Sequence, residues 1–235
     1  MIPTTYDIIQ ANWQSVQARI HRLAPAQAVT VMAVTKYVGP TEVRWLHQAG
    51  ATLIGENRVQ DAQFKFADPQ LSPYLSGVQK HLIGPLQRNK IPQALALFDC
   101  IHAIDRWSLL EALQSHLQRA NRVMTGYVQL NAGREPQKHG FLSDELLATH
   151  EKIWSFPNVQ IIGIIAVTPF SDIPHANRPY FREAFSLWQT IRSYHPQCEQ
   201  LSMGMSHDFE VAIQEGATVV RLGSRLVSQP IEEVS

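Results

Sequence analysis

Apolar residues along this chain follow two rhythms. Ile9, Trp13, Val16, Ile20 and Leu23 recur at steps of four and three, the spacing that lines one face of a helix. Residues 29–35 then form a short apolar run ending at Lys36, and Gly39-Pro40-Thr41 opens a helix almost at once. The alternation continues to the end of the chain. It predicts helices over 41–49, 58–66, 89–97, 143–154, 178–195 and 206–215, and a long helix after Asp105 with Leu109, Leu113 and Leu117 inward. Asp105 and Ser143 read as N-caps, Gly50 as a left-handed helix end, and Pro92 is tolerable in a first turn. Between the helices lie strand-like runs at 52–55, 81–84, 100–103, 123–130, 159–167, 200–202 and 218–222. The run at 159–167 is almost continuously apolar and rich in β-branched residues, as expected of a parallel strand buried on both faces. Eight strands alternating with helices, without linker or repeat, predict an α/β fold: a single closed (β/α)8 TIM barrel. An open doubly wound sheet is the alternative. The reading is one domain, with an extra helix over 1–28, the barrel over 29–226 and a tail over 227–235.

Composition narrows the function classes. With 235 residues, 45% of them hydrophobic, one sizeable core is within reach. Twenty basic and twenty acidic side chains cancel, so the chain lacks the basic footprint of a nucleic-acid or anionic-membrane binder. The first seven residues, Met1 to Asp7, carry no basic flank before an apolar core, and no apolar run is long enough to span a bilayer. A cytoplasmic protein is expected. Cys100 and Cys198 lie far apart without Cys-x-x-Cys spacing and read as free thiols, a disulfide between them being the alternative. The histidines show no ligand spacing, and no metal site is expected.

In such a barrel, reactive groups collect where strands finish. Those positions are polar or glycine-rich here: Lys36, Glu56 and Asn57, Gly84, Asn131, Thr168, Met203-Gly204-Met205-Ser206, and Gly223-Ser224. A lysine at the end of a buried strand is expected to be a desolvated amine, hence a nucleophile for carbonyl carbon. Barrels frequently bind phosphate with the loops after strands seven and eight, where Ser206 reads as the start of a helix and Gly223 permits close backbone approach. An imine-forming lysine beside a phosphate cradle suits a small aldehyde carrying a phosphate ester, and pyridoxal 5′-phosphate (PLP) fits that description. Arg221 could then donate to its ring nitrogen, leaving it unprotonated and weakening the ring as an electron sink.

Six ordered motifs sharpen this. Ala33-Val34-Thr35-Lys36, Gly55-Glu56-Asn57, His81 through Lys90, Arg178-Pro179-Tyr180-Phe181, Leu201 through Ser206, and Val220 through Ser224 resemble those of the pyridoxal phosphate homeostasis protein family. This family is related to the amino-terminal domain of alanine racemase, and the similarity runs from about residue 30 to 226. The resemblance implies a fold type III PLP-binding barrel, with the cofactor held as an imine on Lys36 and its phosphate on Ser206, Gly223 and Ser224. It also implies no established turnover and a role in vitamin B6 balance, with PLP-dependent apo-enzymes as possible partners. Asn57, Met203 and Arg221 complete the expected cofactor set. Three positions depart from the family's usual pattern: Arg58, the Lys138-His139-Gly140 triplet, and Arg225 after Ser224.

Plainer readings stand beside these. Lys36 alone could be a snorkelling surface lysine, Ser206 an N-cap, Met203 core filler, Arg221 an ion-pair member and His81 a hydrogen-bonded packing residue. Glu56 with Asp105 as a glycosidase-type pair has little to support it. A carrier is favoured over a racemase-like enzyme or a lysine-imine aldolase, because eleven residues after Ser224 leave no room for a second catalytic domain. A monomer is expected, and an interaction module for a regulatory partner is a third option.

Overall fold

The two rhythms resolve into parallel strands and their covering helices in a computed structural model that describes residues 4–135, 139–169 and 171–228. Lys138 of the Lys-His-Gly triplet and residues 229–235 of the tail lie outside the described residues. The strands are β1 (Thr30–Val34), β2 (Leu53–Glu56), β3 (Gln79–Leu82), β4 (Cys100–Ile104), β5 (Met124–Asn131), β6 (Val159–Val167), β7 (Gln200–Met205) and β8 (Val219–Leu222). Each pairs with the next, and β8 returns to β1 through Thr30↔Val219 to Ala33↔Leu222, closing the barrel and excluding the open sheet.

The helices are α1 (Tyr6–Leu23), α2 (Pro40–Gln48), α3 (Val59–Phe66), α4 (Ile91–Leu97), α5 (Trp107–Arg119), α6 (Ser143–Trp154), α7 (Arg178–Tyr194), α8 (Phe209–Gln214) and α9 (Ser224–Val227). α2 ends at Gly50 with φ at 117°, the left-handed stop expected from the sequence. α1 packs against α2, α8 and α9, taking up the ring position that four-residue α9 is too short to fill. Asn12 Nδ2 ties it there, donating to the carbonyls of Leu226 and Ser228.

Side chains alternate between the outer layer and the barrel interior. Val31, Ala33, Ile54, Leu82, Ile101, Leu201, Met203, Val220 and Leu222 belong to the large core between strands and helices. Met32, Leu53 and Val219 form one inner cluster, and Cys100, Tyr127 and Ile165 another. Both cysteines are free and buried.

Three local expectations are corrected. Asp105 does not cap α5: Arg106 stands at the cap position, while the buried Asp105 carboxylate accepts from the Arg106 guanidinium. Ser143 is the first helical residue of α6 rather than its cap, and its hydroxyl donates to Glu183. Ser206 does not begin a helix, because α8 starts at Phe209 with Asp208 at its cap position. In each case a side chain that can cap in isolation has a different partner, the adjacent Arg106 for Asp105 and residues distant in the chain for Ser143 and Ser206.

Candidate functional site

At the carboxyl ends of β1, β7 and β8 a cavity of about 550 Å³ opens to solvent. Its wall includes Val34 at the end of β1 with Lys36 and Tyr37 beyond it, Met205 at the end of β7 with Ser206 and His207 beyond it, and Arg221, Gly223 and Ser224 at the end of β8. Five of the expected residues, Lys36, Ser206, Arg221, Gly223 and Ser224, therefore share one space. Asn57 and Met203 are not in its wall. Asn57 packs half-buried against Gly84. Met203 is fully buried in the helix-facing core, and the register irregularity between Ser202 and Met205, where Gly204 takes a positive φ, breaks the alternation so that Met205 lines the cavity instead.

Lys36 also differs from expectation in its surroundings. β1 stops at Val34, so Lys36 stands two residues beyond it, exposed at the rim, with Nζ 4.8 Å from the Tyr37 ring centroid. It is not an amine held in a dry strand end. What is dry is the backbone just before it. Thr35 is buried, its Oγ1 donates to Glu56 Oε1 at 2.6 Å, and its carbonyl accepts from Lys65 Nζ at 2.5 Å. Lys65 in turn ion-pairs with Glu56, both buried, so a charged pair under the strand ends fixes the base of Lys36 while leaving its amine in the open. Glu56 thus serves this pair and not the cavity.

Across the mouth, the loop after β7 is shaped by Gly204, whose φ of 88° suits glycine, and where a Cβ would lie 2.5 Å from Ala212 Cβ. Asp208 then fixes the turn: its Oδ1 accepts from the Met205 amide at 2.7 Å and its Oδ2 from Asn177 Nδ2 at 2.8 Å. This sets Ser206 against the end of β8. The amides of Gly223 and Arg225 both donate to Ser206 Oγ, at 3.1 and 3.3 Å. Both amides point at one hydroxyl oxygen, a position from which an anionic oxygen could accept them in its place.

Arg221 forms the floor. It is buried, with Nη1 donating to Ser202 Oγ at 2.9 Å and Nη2 to the Ala166 carbonyl at 3.1 Å. Burial lowers its guanidinium to about 10, with Asp208 pulling the other way, so it remains a cation and a donor at neutral pH. The sequence did not single out Tyr37, Ser171, Asp172 or His207 of the wall. Tyr37 and His207 adjoin predicted residues and could have been found by extending each motif one position; Ser171 and Asp172 carry no such signal.

At the level of class, the site and the closed barrel are those of the family described as alanine racemase, N-terminal domain, whose profile matches residues 5–229. A pyridoxal phosphate homeostasis protein of Aquifex aeolicus (strain VF5) is 35% identical over 201 residues, 85% of this chain and 86% of that protein. Its namesake from Pseudomonas aeruginosa is 33% identical across 93% of this chain and 94% of its own length. The structure of PipY of Synechococcus elongatus PCC7942 with PLP bound aligns at a TM-score of 0.81 and 30% identity, covering 94% of this chain and 100% of that one. The chain belongs to the pyridoxal phosphate homeostasis protein family.

Proposed function

We propose that this chain binds pyridoxal 5′-phosphate and acts in its homeostasis, as a carrier and not as a catalyst. One observation carries the reading: an exposed lysine, a buried arginine and the polar loop residues Ser206, Gly223 and Ser224 line a single cavity, in a chain similar to a protein solved with PLP bound. The residues fit the group. A volume of about 550 Å³ is within the range for small-molecule sites, and the cavity has an amine on one side and anion-binding donors on the other. Lys36 Nζ would hold the aldehyde carbon covalently as an imine. Ser206, Gly223 and Ser224 would receive the phosphate, and Arg221 would face the ring. When bound, the group supplies an electrophilic carbon that one amine can yield to another.

The remaining parts of the proposal concern use. Lys36 stands at an open rim, where an incoming amine or an acceptor protein can reach it, and water is not excluded as confined carbanion chemistry requires. Arg221 gives the ring a cationic partner where a strong electron sink needs a carboxylate. We therefore assign PLP-dependent apo-enzymes as recipients and a monomer in the cytoplasm as the working form.

The test is an absorbance spectrum of the PLP-treated protein before and after borohydride reduction, followed by mass mapping. The expected result is one reduced adduct on Lys36 and none in Lys36→Ala; colour retained by that variant would overturn the assignment. Incubation with amino acids in deuterated water should give no Lys36-dependent α-proton exchange. Exchange at enzymatic rates would replace the carrier with a racemase-like enzyme.

A further inference from the structure

A second constellation lies inside the barrel, away from the mouth. β3 and β4 pair with His81 opposite Cys100, so both side chains enter the interior, and His102, two residues along β4, enters on the same face. One ligand atom from each of His81, Cys100 and His102 lies within 4.8 Å of the others. The two imidazoles meet at Nδ1, 3.1 Å apart, and His102 stacks on Tyr127 with ring centroids 3.7 Å apart. All three candidate ligands are buried, and His102 Nε2 has no hydrogen-bond partner among the described residues. A polar nitrogen enclosed without a partner is costly, and it points to a ligand that the protein alone does not supply.

We infer that His81, Cys100 and His102 form a buried site for a monovalent copper ion. The donors select the class: a thiolate with two imidazoles suits a soft or borderline d10 metal ion, and no carboxylate takes part. Charge then selects within it. Two neutral imidazoles and one thiolate around Cu+ carry no net charge, whereas a divalent ion would leave a positive charge in an interior that penalises it. Bond lengths of about 2.0 to 2.3 Å place ligand atoms roughly 3 to 4 Å apart, so ligand atoms already within 4.8 Å of one another need only a small inward shift. In the binding step a Cu–S bond and two Cu–N bonds form, the Cys100 S–H bond breaks, and its proton leaves to solvent. No electron is transferred.

An entry path exists. A cavity of about 220 Å³ with His81 and Tyr127 in its wall, and polar Gln79, Asp99 and Thr125 around it, shares no lining residue with the space beside Lys36. The Asp99 side chain at its edge is half exposed and ion-pairs with Lys80 through Oδ2. Metal and cofactor would therefore occupy separate spaces, one at each side of the barrel's inner packing.

The decisive experiment is an anaerobic titration of the reduced, full-length protein with Cu+ in competition with a chromophoric chelator. The unmodified protein should withhold one equivalent. Cys100→Ser and His102→Gln should each lose it, Cys198→Ser should keep it, and all should retain the mouth's cofactor site. No withheld equivalent, or the same amount withheld by Cys100→Ser, would overturn the inference. Because an interior substitution can impair folding, X-ray absorption on the copper-loaded unmodified protein gives a second test: one sulfur and two imidazole nitrogens are expected, and a shell of sulfur alone or of nitrogen and oxygen alone refutes the site.

Discussion

His81 is held neutral by its surroundings. Burial pushes its imidazole from 6.5 down to about 4, against a smaller opposing pull from Asp99, and burial together with neighbouring His81 and Arg221 lowers His102 as well. The linkage has a definite sign. In the unfolded chain His81 takes up a proton near 6.5, while in the fold it does so only near 4, so between those values the unfolded state binds more protons. Stability from this group is full above about 6.5 and falls as the pH drops toward 4, by about 3 kcal/mol in all. Urea unfolding at neutral pH and at about pH 4.5 should therefore show a larger acid loss in the unmodified protein than in His81→Gln. Equal losses would remove His81 from the account. The burial that silences the imidazoles also holds the Cys100 thiol up to about 12, so neither sulfur nor nitrogen is reactive toward solvent on its own.

Between elements, the decisive contact is the one joining β1, β2 and α3. Lys65 looks like any solvated helix lysine in the sequence, yet its side chain is 7% exposed and bridges Glu56 and the Thr35 carbonyl. Removing one partner of such a buried pair leaves an uncompensated charge, which costs about 3 to 5 kcal/mol, whereas removing both can be nearly neutral. Lys65→Met should lose stability in that range by urea unfolding, and the double variant Lys65→Met/Glu56→Leu should recover much of it. A single-variant loss below about 1 kcal/mol would mean the pair is not what fixes this strand end. The same interaction explains an uneven legibility. Strands β1 to β8 were readable because burial of both faces writes itself into composition, as Val159 to Val167 shows. The cap at Ser143 was not, because Glu183 reaches that side chain only after the chain has folded, and the one at Asp105 was not, because its neighbour Arg106 competes for the carboxylate.

Across the whole molecule, what the sequence revealed depended on how far apart the cooperating residues lie. The mouth was largely legible: Ser206, Gly223 and Ser224 belong to short motifs, and strand-end logic brings Lys36 to them. Met203 was misplaced because the irregularity between Ser202 and Met205 leaves no mark in the sequence, and the His81–Cys100–His102 cluster was invisible because register between β3 and β4, and not spacing along the chain, assembles it. The mouth itself depends on barrel closure. Lys36 follows β1, and Ser206, Gly223 and Ser224 follow β7 and β8, so they meet only when β8 pairs with β1. A ligand that bridges them binds the closed barrel and not the open chain, and by mass action it must stabilise closure. At a hundredfold excess over its dissociation constant, pyridoxal 5′-phosphate should add about 2.7 kcal/mol, a rise in thermal midpoint of roughly 5 to 10 °C for a chain of this size. Pyridoxal without the phosphate reaches only the lysine and should raise the midpoint far less at the same concentration. Equal shifts from the two compounds in scanning calorimetry would show that the loops after β7 and β8 take no part in holding the ligand.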